Sequence, residues 1–246
     1  MLGIIDWGIG GISVYKLLKE RLGDVPVVYF SDTGATPYGK MARAELATRL
    51  DVVIDHLIAC GATSIAIGCN AASTAIGDLA DHGVAVEGVI QPAVELTARL
   101  KPKRLGLIGG RRTVVSGVYR GAFAKRGISL KQRIAQPLSG LIESGDISSE
   151  HLRAAAKQII GPLRNCSHIL LACTHYPAIT PMLAELVSHK TEFIDPAAEL
   201  VSRVEKLNIS GNAEDVFLTT GDARAMKTAA LKAFGVSITR VERVTI

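Results

Sequence analysis

The sequence predicts an α/β protein made of two pseudo-two-fold-related α/β domains with largely parallel sheets and a cleft between them. Three observations carry this. First, the chain repeats itself: Leu2-Gly3-Ile4-Ile5 returns as Leu105-Gly106-Leu107-Ile108, Ile67-Gly68-Cys69-Asn70 as Leu171-Ala172-Cys173-Thr174, and Ile90-Gln91-Pro92-Ala93-Val94-Glu95-Leu96 as Ile194-Asp195-Pro196-Ala197-Ala198-Glu199-Leu200, at offsets of 103, 104 and 104. Three markers in one order at one spacing indicate a duplicated unit. Second, short apolar runs alternate with helix-length segments, the pattern of buried parallel strands covered by helices. Third, two copies of 104 residues leave 38, from about Ile209 to Ile246, too few for a third unit.

The elements follow in order. Apolar runs bounded by Gly, Asp or Pro predict strands over Leu2–Ile5, Val25–Phe30, Ser64–Gly68, Val84–Ile90, Arg104–Ile108 and His168–Ala172. Apolar spacings of three and four predict helices over Ile12–Arg21 and Ala42–Ala59. The remainder holds the run Val216-Phe217-Leu218, a Thr-Thr-Gly-Asp turn, a helical pattern and a β-rich end from Val236 to Ile246. The expected domains are residues 1–93 plus 209–246, and residues 94–208.

Composition excludes several classes. Of 246 residues, 48% are hydrophobic and 21% charged, which is enough for a sizeable core and excludes global disorder. Four cysteines are too few for a disulfide scaffold and read as reduced thiols. The first residues show no basic segment followed by an apolar run, and no uncharged apolar stretch reaches the ~18 residues of a membrane span, so a cytoplasmic protein without membrane contact is expected. The net charge of +5 is scattered; its densest groups are Lys101-Pro102-Lys103-Arg104 and Arg111-Arg112, and no nucleic-acid module accompanies them.

In open parallel sheets ligands bind beyond the carboxyl ends of the strands. Asp6, Asp32, Cys69 and Cys173 each follow a strand-like run. Two facing units aim these ends at one cleft and set Cys69 and Cys173 on opposite sides of it. Thiols on opposite faces of one carbon suit inversion of a stereocentre: one thiolate removes a proton and the opposite thiol returns one. Burial as small apolar side chains is the bland alternative for both, and it is the reading given to Cys60 and Cys166. Cys173-Thr174-His175 offers two metal ligands, but no further ligand spacing exists, so no metal is expected. Asp6-Trp7-Gly8-Ile9-Gly10-Gly11 approaches a dinucleotide fingerprint, yet Ser13 stands at its sixth position, which weakens a nicotinamide enzyme. A glycine-rich turn offering amides to a carboxylate fits equally, and Asp6 is either a cleft carboxylate or a helix cap.

Taken together, Asp6-x-Gly8-x-Gly10-Gly11, Asp32-Thr33 with Pro37-Tyr38-Gly39, Cys69-Asn70, Cys173-Thr174-His175-Tyr176-Pro177 and Thr220-Gly221-Asp222 resemble, in this order and over nearly the whole chain, the cofactor-independent glutamate racemases of the aspartate/glutamate racemase superfamily. The resemblance implies two α/β domains, the first completed by the C-terminal segment, and no cofactor. It implies that Cys69 takes the proton from the D-enantiomer and Cys173 from the L-enantiomer, with Asp6 and His175 supporting the thiols and Glu143 as a further cleft carboxylate. Asn70 and Thr174 would hold the α-carboxylate and ammonium, and Pro37-Tyr38-Gly39 would meet the side-chain carboxylate. The role it implies is supply of D-glutamate for peptidoglycan. Three departures from its pattern bear on substrate: Trp7 in place of Ser, Ala71 in place of Thr, and Ala35 where the family carries Arg. Trp7, Asp32 and Ala71 therefore join the expected substrate wall. Aspartate or another acid, and a binding protein that lost catalysis, are the alternatives. The expected partner is an amino acid; a homodimer is left open.

Overall fold

The computed structural model describes residues 1–23 and 25–246. Its elements are β1 (Leu2–Asp6), α1 (Ile12–Leu22), β2 (Val27–Ser31), α2 (Arg43–Ala59), β3 (Ser64–Ile67), α3 (Asn70–Ser73), β4 (Ala85–Gly88), α4 (Ile90–Leu100), β5 (Leu105–Gly109), α5 (Arg111–Val115), α6 (Val118–Ala124), β6 (Leu130–Ile134), α7 (Gln136–Glu143), α8 (Glu150–Ile160), β7 (His168–Ala172), α9 (Thr180–Glu185), β8 (Glu192–Ile194), α10 (Ala197–Glu205), β9 (Val216–Thr219), α11 (Ala223–Phe234) and β10 (Glu242–Arg243).

The strands form two sheets, β10-β9-β2-β1-β3-β4 and β6-β5-β7-β8, with every pairing parallel. The order β2-β1-β3-β4 recurs as β6-β5-β7-β8, so the sequence repeat is a repeat of sheet topology. The C-terminal segment returns to the first sheet, where β9 pairs with β2, Phe30 opposite Leu218. Asp215 docks this segment: its carboxylate accepts from Tyr15 Oη at 2.8 Å, Lys19 Nζ at 2.8 Å and the Val27 amide at 2.9 Å.

Central strands are the apolar runs of the sequence. β1, β2, β3 and β5 are buried at every position, as parallel strands covered on both faces must be. Two expectations are corrected at edges. The run ending at Ile90 stops as a strand at Gly88, and Ile90 opens α4. Of the β-rich end from Val236 to Ile246, only Glu242 and Arg243 pair as a strand.

Apolar packing falls into three clusters. One covers a face of the first sheet with Leu46, Leu50, Val53, Ile54 and Leu57 of α2. Another joins Ala93 and Val94 of α4 and Tyr119 and Phe123 of α6 to the second sheet. The third runs without interruption from Leu2 and Ile4 of β1 to Ile169 and Leu171 of β7 and on to α8, α10 and α11. Each fully buried aliphatic side chain is worth about 1.5–3 kcal/mol, so this shared cluster binds the two sheets firmly. Arg203 of α10 adds polar links, donating to Glu87 at 3.0 Å and Glu95 at 2.7 Å. With the sheets held this way, the carboxyl ends of β1, β3, β5 and β7 bound one cavity. No described helix is long and apolar enough to cross a membrane.

Candidate active site

A cavity of about 330 Å³ lies between the two sheets. Asp6 and Trp7 follow β1, Cys69, Asn70 and Ala71 follow β3, and Cys173, Thr174 and His175 follow β7; all of them line it, as do Pro37, Tyr38 and Gly39 of the loop before α2. Cys69 is 9% exposed and Cys173 is half buried, while Cys60 and Cys166 lie outside the cavity.

Cys69 sits at the N-cap of α3, which turns it from strand to helix at the cavity wall. Burial pushes its thiol well above the ordinary range, and the Asp6 carboxylate pushes the same way. The Cys173 sulfur lies 3.6 Å from Nδ1 of His175, whose Nε2 lies 2.6 Å from Oε2 of Glu143. Burial alone lowers the pKa of His175, but the Cys173 and Glu143 charges beside it outweigh that, and the ring is held well above the usual histidine value. The second cysteine thus has a His–carboxylate chain behind it.

Asp6 is no helix cap: Gly11 occupies the N-cap of α1. Its carboxylate accepts from Thr174 Oγ1 at 2.9 Å, a bond that crosses between the two sheets. Burial raises its pKa, the His175 charge lowers it, and Glu143 raises it again. The glycine turn after Asp6 is explained by close approach. A Cβ at Gly10 would lie 2.6 Å from His175 Nδ1 and 2.7 Å from Asp6 Oδ2, and one at Gly8 would collide with the Glu143 carboxylate. The Ile9 amide donates to that carboxylate at 3.0 Å.

Asn70 is 3% exposed; its Oδ1 accepts from Tyr119 Oη at 2.7 Å, while its buried Nδ2 has no partner among the described residues. An orphaned buried donor costs about 1–3 kcal/mol, so a cavity-facing acceptor is the natural occupant. Trp7 Nε1 donates to the Ala35 carbonyl at 3.1 Å, which pins the indole to the loop carrying Pro37, Tyr38 and Gly39. Ala71 adds only a methyl group to the wall.

Two expected residues stand elsewhere. Asp32 does not line the cavity. Its carboxylate is occupied by Arg49 at 2.6 and 2.8 Å, Tyr38 Oη at 2.9 Å and Thr220 Oγ1 at 2.8 Å. With these acceptors filled, Asp32 supports Tyr38 from behind and does not meet a ligand. Glu143 likewise stands behind His175, outside the cavity lining. Among the described residues no group of three or more His, Cys, Asp or Glu is placed to hold a metal ion.

The cavity also includes residues that were not expected: Lys40, Gly110, Arg111 and Thr113, and Gln136, Ser139 and Gly140 at the start of α7. Gln136 Oε1 accepts from the Arg111 amide at 3.0 Å and its Nε2 donates to Ser139 Oγ at 3.1 Å. The repeat contained the signal for two of them. Gln136 is Asp32 shifted by 104, and Gly110 is Trp7 shifted by 103; each follows a strand of the duplicated order.

A family model described as Asp/Glu/Hydantoin racemase matches residues 2–204. A glutamate racemase of Synechococcus sp. (strain CC9605) is 32% identical over 211 residues, covering 83% of this chain and 78% of its own. One from Bacillus cereus is 30% identical over 258 residues, covering 99% and 96%. The crystal structure of glutamate racemase from Francisella tularensis in complex with D-glutamate superposes with a TM-score of 0.88 at 25% identity, over 99% of this chain and 97% of that one. The chain belongs to the Asp/Glu racemase family of isomerases.

Proposed function

We propose that this protein interconverts L- and D-glutamate by a two-base exchange of the Cα proton between Cys69 and Cys173. The observation that carries this reading is the presence of two cysteines at equivalent strand ends, after β3 and β7, on one cavity. Substrate lies between the two sulfurs. A thiolate on one side takes the Cα proton, and the electron pair left behind spreads into the α-carboxylate. The opposite thiol then delivers its proton to the other face of Cα. One proton leaves and one arrives, and the two sulfurs exchange protonation states.

The surroundings support these steps. The Cys173 sulfur lies 3.6 Å from Nδ1 of His175, within reach for proton exchange with the ring. Burial and Asp6 favour the neutral thiol at Cys69. In this scheme Cys69 serves as the donor while Cys173 takes the proton of the L-enantiomer, and Cys69 takes the proton of the D-enantiomer. The free Nδ2 of Asn70 receives the α-carboxylate, where it also stabilises charge as the proton departs. The Pro37–Gly39 loop meets the side-chain carboxylate. No cofactor enters the scheme. The product D-glutamate serves peptidoglycan synthesis.

Proton–deuterium exchange at Cα in D₂O tests this directly. Both glutamate enantiomers should exchange and interconvert without added cofactor. If neither glutamate nor aspartate exchanges, the two-base reading is wrong for these acids. Trp7, pinned to Ala35, supports a second reading in which a smaller acid is preferred. A panel including aspartate separates the two, and Trp7→Ser should move preference toward glutamate if the indole sets the size limit.

A further inference from the structure

The Arg111-Arg112 pair opens α5 just beyond the carboxyl end of β5. Arg111 lines the cavity, but Arg112 does not; it points away from β5 and across the gap between the sheets. Its Nε donates to Thr74 Oγ1 at 2.9 Å and its NH1 to the Met41 carbonyl at 2.6 Å. Thr74 ends the short helix that begins immediately after Cys69, and its hydroxyl donates in turn to the Ala71 carbonyl at 2.7 Å. Met41 closes the loop that carries Pro37, Tyr38 and Gly39. A single guanidinium on the second-sheet side thus grips two of the first-sheet segments that wall the cavity.

The charge balance is unusual. Arg112 is half buried, and among the described residues no carboxylate lies within 4 Å of it. The neighbouring Arg43 is committed to Asp78. A desolvated guanidinium satisfied only by neutral acceptors is a poor stabiliser of a resting fold, so a role in holding the cleft shut accounts for it better. Its two acceptors belong to separate segments of the chain, and both segments carry residues of the cavity wall.

We propose that Arg112 is a positioning residue that clamps the cleft, holding the Cys69 helix and the 32–41 loop against the second sheet. Substrate entry and product release then require its two bonds to break, and the setting of Cys69 opposite Cys173 depends on their re-forming. The kinetic consequence rests on the racemase reading; the accessibility consequence does not.

The test is alkylation of the intact protein by iodoacetamide, followed peptide by peptide, in Arg112→Ala, Arg112→Lys and Thr74→Val. Removing hydrogen bonds from a charged donor should accelerate Cys69 modification roughly tenfold in Arg112→Ala. Cys60 and Cys166, which lie away from the cleft, should keep their wild-type rates. Arg112→Lys should fall between, and Thr74→Val, which removes one acceptor at nearly constant volume, should give a smaller rise. In parallel, KM for the exchanging substrate should rise roughly tenfold in Arg112→Ala, with kcat changed less. An unchanged Cys69 rate in both Arg112→Ala and Thr74→Val overturns the clamp. If Arg112→Ala accelerates all four cysteines alike, the variant has loosened the fold, and Thr74→Val decides alone. Absence of Cα exchange in the wild type would count against the racemase reading, while the alkylation rates would still decide the clamp.

Discussion

On the β3 side, Cys69 is 9% exposed, caps a helix and has the Asp6 carboxylate as its charged neighbour. On the β7 side, Cys173 is half buried, and its sulfur meets a histidine that is itself held by a carboxylate. The two strands occupy the same place in a duplicated order, so the scaffold is symmetric and the chemistry built on it is not. In the proposed two-base exchange, one sulfur carries a proton while the other lacks one. Duplication brings two thiols to one cavity, and burial with Asp6 favours the protonated form at Cys69.

The largest effect should come from breaking the pair. Cys69→Ala and Cys173→Ala should each lower interconversion of the enantiomers by roughly 10²–10⁴-fold, the usual weight of a positioned acid or base. A variant keeping a tenth of the wild-type rate would show that its sulfur is not one of the two bases.

A smaller effect should come from the support behind Cys173. Glu143→Gln keeps the shape but removes the charge beside His175, and a loss of roughly 10- to 100-fold is expected. Its form is constrained. Free L- and D-glutamate have equal free energy and pass through the same transition state, so kcat/KM must fall equally in both directions. The asymmetry of the site can appear only in how each direction divides that loss between kcat and KM. A change confined to kcat in the L-to-D direction would place Glu143 behind Cys173 alone, whereas an identical division in both directions would mean it serves both sulfurs.

The sequence showed this site unevenly, for physical reasons. Buried parallel strands are continuous apolar runs, so β1, β3, β5 and β7 were visible, and with them the cavity residues after β1, β3 and β7. The edge strands of the second sheet were not: β6 (Leu130-Lys131-Gln132-Arg133-Ile134) is mostly exposed and mixed in polarity, and β8 is three residues long. Gln136 follows β6 and was missed with it. Asp32 was visible at a strand end, but no local pattern reveals that Arg49, Tyr38 and Thr220 would consume its oxygens. The distinction between Glu143 in the cavity and Glu143 behind His175 also depends on packing across 32 residues, which linear spacing does not encode.

The smallest expected effect is on stability, and it probes the other half of the comparison. Burial holds the Asp6 carboxyl above its ordinary pKa despite the opposing His175 charge and the Thr174 hydrogen bond. The native state therefore binds this proton more tightly than the unfolded chain does. The stability so gained is present at pH below the unfolded-chain value and is lost as pH rises through the folded one, leaving a buried charge as a net cost at neutral pH. Asp6→Asn removes that charge and keeps an acceptor for Thr174 Oγ1. At pH 7 it should raise Tm by roughly 2–4 °C for each kcal/mol relieved in a chain of this size, and the gain should vanish below the ordinary carboxylate range. The same substitution takes away the carboxylate that disfavours the Cys69 thiolate, so Cys69 alkylation should begin at lower pH. Activity should nevertheless fall, since the first sulfur loses the neighbour that keeps it protonated for the opposite face. If Tm at pH 7 drops instead, the His175 charge outweighs burial at Asp6, and the carboxylate is a stabilising link between the two halves of the site.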